Sequence, residues 1–299
     1  MATGTKTKVV TKNYLLIKSR HPSHNVIRGK ILVPKGYKAI FRLGSTTPIN
    51  VNLKGKQLIE INSTDSIRNS ASKLLMKQCF TRAGVKTADW FTYYGSPNGG
   101  QLFLINGQPT KDNMGTQIKD LPFPIVAKSH HGSRNEGNTK LNSLEQFEAW
   151  KKGKNLNNYI FEKFYNYNKE YRLHVTRDGC FYAIRKMLKS DTPENSRWFR
   201  NDSNCVWVLE TNPQFNRPSN WDDVVAECVK ALISVGLDVG AIDLRIQSSE
   251  KDKKKKDKAP NFIILETNSA PSFGEITAEK YTTELENIIN NKIKILCVE

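Results

Sequence analysis

Glu266 and Asn268 close the run Phe262-Ile263-Ile264-Leu265-Glu266-Thr267-Asn268-Ser269-Ala270-Pro271, and their types and spacing suit cation chemistry. Four apolar residues in a row, bracketed by Pro260 and Pro271, predict a short strand buried in a sheet. A strand repeats every two residues, so Glu266 and Asn268 leave it on one face. A carboxylate and an amide at the end of an apolar strand are costly to bury unless a cation sits between them. A second candidate strand, 239–246, carries Asp243 at its centre. The polar, lysine-rich segment 247–259 reads as a hairpin loop that sets Asp243 opposite the Glu266/Asn268 face. Oxygens from Asp, Glu and Asn are hard ligands of the kind Mg²⁺ accepts, with water and substrate phosphates completing its octahedron. The competing reading is a buried polar pair that caps a strand end.

A second constellation begins at Lys128, which ends the apolar strand Ile125-Val126-Ala127-Lys128. It faces Ser129-His130-His131-Gly132-Ser133-Arg134-Asn135-Glu136-Gly137-Asn138, with two glycines, Ser133 and Asn135. Such loops turn backbone N–H groups toward phosphate, and a lysine at the mouth supplies a point charge. The spacing is neither a Walker loop nor the GxGxxG of a dinucleotide fold. On this segment alone, a surface hairpin loop explains the pattern better.

The elements that must position these groups are legible in outline. Residues 1–60 alternate short apolar runs with turn signals and predict a small, mainly strand-containing unit. Apolar spacing from Ile67 to Phe80 predicts a helix that carries Lys73 and Lys77 and stops at Gly84. Ser143 and Gln146 form a capping-box signature for a helix over 144–152. Residues 159–164 read as a strand, and 171–175 and 181–185 flank an Asp178-Gly179 hairpin turn. Further helices are predicted over 221–235, between Asn220 and Gly236, and over 277–291.

At 299 residues the chain can bury a large core divided among two or three domains. No apolar run approaches the roughly 18 residues of a membrane helix, the N-terminus has no apolar leader, and five cysteines show no CxxC spacing. These features predict a cytoplasmic enzyme with free thiols and no membrane partner. The net charge is +17, and residues 1–60 hold twelve Lys/Arg against one acid, Glu60. That field favours polyanionic partners. The lysine run 251–258 reads as a solvated loop.

The series Lys73, Pro124-Ile125-Val126-Ala127-Lys128, Glu162-Lys163-Phe164, Glu170-Tyr171-Arg172, Ala241-Ile242-Asp243 and Leu265-Glu266-Thr267-Asn268-Ser269-Ala270-Pro271 resembles the ATP-grasp superfamily. Within it, the series is similar to the ribosomal-protein glutamate ligase and D-alanine–D-alanine ligase branch, over roughly residues 62–290. The resemblance implies an α/β (α+β) fold in which two α+β subdomains clamp ATP, behind a small basic N-terminal domain. It divides the chain into 1–62, a central helix and connection over 63–122, a small subdomain over 123–168 and a large one over 169–299.

The resemblance also implies roles. Lys73 and Lys128 contact ATP phosphates, and the glycine loop with Ser133 and Gly137 folds over the triphosphate. Glu162, Lys163 and Phe164 form the hinge that reads adenine, and Glu170 binds the ribose. Asp243, Glu266 and Asn268 hold two Mg²⁺ ions. Arg172, Arg185 and, less specifically, Asn201 match positions for the γ-phosphate or acyl intermediate. The two arginines also suit ordinary hairpin ion pairs, and Asn201 suits a turn; Arg42, Ser45 and Thr46 are candidates for substrate contact, although a simple turn explains them better.

The implied reaction is ATP-dependent carboxylate–amine ligation through an acyl phosphate, releasing ADP and phosphate. An ATP-grasp phosphotransferase and a nucleic-acid-binding protein with a regulatory ATP site remain as alternatives. The basic N-terminal region suits an acidic peptide or protein tail, or a nucleic acid, as acceptor, and the branch suits a small amino acid substrate.

Overall fold

The computed structural model describes residues 12–95, 101–107, 115–131, 137–247 and 259–298. Strands β1 (Leu16–Lys18), β2 (Tyr37–Arg42) and β3 (Gln57–Ile61) form a parallel sheet in the order β1-β2-β3. Alternation puts Ile17, Ala39, Phe41, Ile59 and Ile61 on one face, and that face packs on Tyr281, Leu285 and Ile289 from the C-terminal helix. The first 62 residues therefore supply a sheet whose core is completed from the other end of the chain.

Two helices follow where the periodicity predicts one. Ser63 accepts from the Ser66 N–H and opens α1 (Thr64–Ala71). Ser72 is extended (φ −91°, ψ 117°), accepts from the Leu75 N–H and opens α2 (Lys73–Ala83). A serine hydroxyl competes with the helix ladder and favours a cap over an interior position. Gly84 then ends α2 in the left-handed conformation, φ 63°.

A six-stranded antiparallel sheet comprises β4 (Trp90–Gly95), β5 (Gln101–Ile105), β6 (Thr116–Gln117), β7 (Ile125–Ser129), β8 (Thr139–Leu141) and β9 (Tyr159–Lys163). Their order is β6-β5-β4-β9-β7-β8. Helix α3 (Leu144–Trp150) packs on it through Phe147, against Phe103 and Phe161. Half of this sheet comes from residues 90–117, within the stretch expected as a connection, which therefore shares a sheet with strands of 125–163.

The third sheet is antiparallel and ordered β12-β11-β10-β13-β14. Its strands are β10 (Lys169–Thr176), β11 (Cys180–Leu188), β12 (Cys205–Leu209), β13 (Val239–Ile246) and β14 (Phe262–Asn268). Helix α4 (Trp221–Ser234) covers one face, burying Val224, Cys228 and Leu232 against Leu173, Ile242 and Ile264. Met76 and Phe80 of α2 join the same core, which ties the central helices to the large subdomain. Strands β13 and β14 pair as the expected hairpin, with Asp243 opposite Glu266; the lysine run 251–258 lies outside the described residues. Helix α5 (Glu275–Leu296) returns to the first sheet.

Tyr281 joins these layers. It is fully buried, its ring meets Phe181 and Phe273, and its hydroxyl lies 3.1 Å from His174 Nδ1 on β10. Tyr281→Ala is expected to lose about 3–5 kcal/mol in urea denaturation through the cavity it leaves. Tyr281→Phe, which keeps the ring, is expected to lose about 1 kcal/mol.

Candidate active site

A cleft of about 920 Å³ opens between the six-stranded and five-stranded sheets, walled by residues of α2, β7, β9, β10, β11, β13 and β14. Strand register builds its deepest part. Arg172 on β10 stands opposite Asp243 on β13, and Glu170 stands opposite both Lys186 on β11 and Arg245 on β13. Directly opposed side chains on one face are close enough to pair.

Arg172 grips Asp243 with two bonds, Nε to Oδ1 at 2.7 Å and Nη2 to Oδ2 at 2.8 Å. Lys186 Nζ donates to Asp243 Oδ2 at 2.8 Å and lies 3.1 Å from Glu170 Oε1. Arg245 Nε donates to Glu170 Oε2 at 2.8 Å, and Arg200 Nη1 is 3.7 Å from the same oxygen. Two buried carboxylates thus hold four cations. Burial pushes both carboxyls up, and the surrounding charges more than reverse it. Arg172 and Lys186 hold Asp243 well below the usual range, and Lys186, Arg245 and Arg200 lower Glu170.

A second cluster joins the two sheets. Lys128 Nζ donates to Glu162 Oε2 at 2.7 Å, and Lys77 Nζ lies 3.2 Å from Oε1. Lys77 is fully buried and also donates to the Thr87 hydroxyl, which donates to the Ile264 carbonyl on β14 at 2.8 Å. Burial, only partly offset by Glu162, lowers the Lys77 ammonium to about 8. Lys73 is lowered by burial, against the pull of Glu266.

The residues expected at a site are mostly gathered here. Lys73, Lys128, Glu162, Lys163, Phe164, Glu170, Arg172, Asp243, Glu266 and Asn268 all line the cleft. Gly137 is described, in the left-handed conformation at φ 72°, whereas Ser133 lies outside the described residues. Expected at the adenine edge, the Glu162 carboxylate is instead committed to two lysines. The N–H groups of Lys163 and Phe164 already donate to the carbonyls of Asp89 and Pro124, both at 2.9 Å. Asn201 lines the cleft, but its Oδ1 accepts from Ser203 and Asn204 and closes a turn. Arg42 is likewise spent on a turn, through the Thr47 carbonyl and Glu60.

Arg185, expected at the γ-phosphate or acyl intermediate, is not among the residues that line the cleft. It faces the α4 side of the sheet, where Nη1 donates to the Gln214 carbonyl, and Lys186 takes the cleft face. A two-residue Asp178-Gly179 turn would pair Arg172 with Arg185. The Thr176 N–H instead closes on the Gly179 carbonyl with Val175 opposite Cys180, which alone would pair Arg172 with Ala183; the bulge between His174 and Val175 then shifts the register by one, so Ile184 stands opposite Arg172 and Arg185 turns to the other face. Lys77, Lys186, Arg200, Asp202 and Arg245 are the charged residues in and behind the cleft that the sequence did not assign. Only Arg245 carried a direct signal, two residues from Asp243 on the same strand face.

The donors fit a hard divalent cation. Glu266 lies opposite Asp243 in register, and Asn268 follows two residues later on the same cleft wall. Asp243 accepts three hydrogen bonds, which leaves one of its roughly four lone-pair sites, on Oδ1. Glu266 is half-buried and makes no salt bridge among the described residues. Asn268 Oδ1 accepts from the Ala270 N–H at 2.9 Å. Among those residues no set of three His, Cys, Asp or Glu side chains forms a metal cluster, so an ion here would use the amide oxygen with two carboxylates.

Two facing antiparallel sheets with such a cleft define the ATP-grasp fold, and this chain has it. It is similar to the ATP-grasp ligase PsnB, solved with a minimal precursor (TM-score 0.53, 13% identity, 88% of this chain and 92% of that one). It is also similar to N5-carboxyaminoimidazole synthase of Aspergillus clavatus, solved with ADP and an aminoimidazole ribonucleotide (0.51, 15%, 84% of this chain). Only 60% of that enzyme's length is spanned. D-Alanine–D-alanine ligase of Bacillus anthracis is a third likeness (0.50, 12%, 78% and 69%). No protein-family model and no curated protein sequence matches the chain.

Lys77 generates a pH signature. Its folded pKa lies below the unfolded value, so between about 8 and 10.5 the unfolded chain binds more protons there. The Lys77 contribution to stability is therefore fully present above that window and lost as pH falls through about 8. The stability difference between wild type and Lys77→Met should move in favour of wild type across this window, by up to about 1.4 kcal/mol per pH unit. Denaturant melts at stepped pH measure it; a flat difference would contradict the buried ammonium.

Proposed function

We propose that the protein is an ATP-dependent carboxylate–amine ligase, forming an amide through an acyl phosphate and releasing ADP and phosphate. The observation that carries this reading is the charge of the cleft. Its described walls hold seven Lys/Arg against five Asp/Glu, with Lys77 buried behind them. Buried charge in excess is unfavourable until a counter-charge arrives, and a triphosphate is a counter-charge of the right sign in a fold shared with ATP-grasp ligases. Lys73 and Lys128 approach from the α2 side and the β7 side and would hold the phosphates as point charges. Glu162 fixes Lys128, and Glu170 turns Lys186 and Arg245 toward the cleft. The glycine loop carrying Ser133 and Gly137 would close over the phosphates.

Asp243, Glu266 and Asn268 would hold Mg²⁺, which when bound neutralises charge on the phosphate oxygens. Arg172, anchored on Asp243, would stabilise the transferring phosphoryl group as the substrate carboxylate attacks the γ-phosphorus and ADP leaves. An amine would then attack the acyl carbon, expelling phosphate and leaving the amide after loss of a proton. No protein nucleophile enters this sequence. His174, near Arg172 on β10, is held neutral by burial, its pKa lowered to about 3. An acidic or polyanionic acceptor suits the basic N-terminal sheet.

ADP and phosphate release with Mg²⁺-ATP, across a panel of acids and amines with products followed by mass spectrometry, tests the reading. Release that needs both substrates and yields an amide mass is expected. Glu266→Gln should lower it by about 10²–10³-fold, the scale of losing one electrostatic contact to the transition state. A phosphorylated product without an amide, or turnover unchanged in Glu266→Gln, would contradict it.

A further inference from the structure

The five-stranded sheet ends differently at its two edges. At β14 the edge is closed: the Ile264 N–H donates to the Lys86 carbonyl and its carbonyl accepts from Thr87 Oγ1, both at 2.8 Å. At β12 no described strand pairs outside. The Lys189 N–H donates to the Asn204 carbonyl at 2.9 Å. Two-residue alternation then turns the backbone of Val206 and Val208 toward β11 and that of Cys205, Trp207 and Leu209 outward. The Leu209 carbonyl accepts from Asn212, whereas the outward groups of Cys205 and Trp207 have no backbone partner among the described residues. Natural edges are blunted by lysine, proline, bulges or covering segments. Cys205-Val206-Trp207-Val208-Leu209 has neither lysine nor proline, and Val206 and Trp207 are 47% and 38% exposed.

This edge borders the cleft. Trp207 and Leu209 line it, and the Trp207 ring lies 5.3 Å from the Arg172 guanidinium carbon and 5.4 Å from Lys186 Nζ. Register continues inward from Leu209 through Ile184 and Arg172 to Asp243 and Glu266. A strand added outside β12 would run about 4.8 Å away, and its residues opposite Cys205, Trp207 and Leu209 would share the cleft face.

We propose that the free edge of β12 takes up an extended acidic polypeptide segment as a sixth strand, so that a substrate of the ligase is carried on a peptide. The proposal rests on the ligase reading for the word substrate, and on the edge alone for the docking. Alternating N–H and C=O groups match another strand, which nucleic acid does not supply, and Trp207 is the edge's one aromatic residue where single-stranded nucleic acid requires a series of stacking rings. A second copy of this chain, at +17, would be repelled. The cationic cleft selects an acidic segment.

The probe is a ten-residue peptide of alternating Glu and Val, titrated calorimetrically into the full chain without nucleotide. Binding is expected, with hydrogen-exchange protection appearing at the Trp207 and Leu209 amides. Of two isomers, backbone N-methylated on all Glu or on all Val residues, one should bind at least tenfold more weakly and the other should be retained. A Lys/Val peptide should not bind. Equal behaviour of the two isomers, no new protection on β12, or displacement by an oligonucleotide would overturn the proposal. Mg²⁺-ATP binding is measured in parallel. Nucleotide binding without peptide binding overturns the edge alone; peptide binding without nucleotide binding overturns the ligase reading and leaves the docking edge.

Discussion

Burying Lys73, Lys77, Lys186, Arg200 and Arg245 with Glu162, Glu170 and Asp243 around one cleft is the constraint on which the rest of the structure depends. Each ion removed from water costs several kcal/mol unless geometry restores the loss. Sheet register restores it here. Arg172, Asp243, Glu170, Lys186 and Arg245 are fixed by three adjacent strands, so their pairing distances are set by strand spacing rather than by flexible side chains. The bidentate grip of Arg172 on Asp243 is the most specific of these contacts, because a planar fork matches a carboxylate only in one orientation. Acids and bases do not balance. The surplus is positive, and burial, which Glu162 offsets only in part, lowers the proton affinity of Lys77 behind it.

The three layers can be understood as supports for that surplus. Helix α2 carries Lys73 and Lys77, and the cap at Ser72 that opens it also sends the Lys73 N–H to the His130 carbonyl at 3.0 Å, tying the helix to the end of β7. Thr87 links Lys77 to β14, the strand that bears Glu266 and Asn268. On the other side His24, buried in the first sheet's connection, meets the Pro271 carbonyl at 2.8 Å and so fixes the turn that follows Asn268. Elements from 1–62, 63–89 and the C-terminal strand thus converge on one turn and one cleft wall.

Much of this was legible in the sequence, and the failures have physical causes. The apolar run ending in Glu266 and Asn268, the strand through Asp243 and the helices at 221 and 275 follow from period and from Pro or Gly punctuation. The helix expected from Ile67 to Phe80 was divided because Ser72 is worth more as a cap than as an interior residue. The aromatic run Trp90-Phe91-Thr92-Tyr93-Tyr94 carries the strand signal of β4 inside the stretch expected as a connection. Arg185 failed for a subtler reason: alternation is reliable along a strand, but a bulge one hairpin away reverses it. The ion pairs of Glu162 were not legible at all, since they join three elements distant in sequence.

The central claim is that a buried cationic surplus is poised for a polyanion, and proton linkage tests it most directly. Calorimetric titration of Mg²⁺-ATP near pH 8, in buffers of different ionisation enthalpy, reads the protons exchanged on binding. A bound triphosphate should raise the pKa values of Lys77 and Lys73, so the account predicts net proton uptake that is reduced in Lys77→Arg. Binding without proton uptake, or no binding of Mg²⁺-ATP, would contradict it.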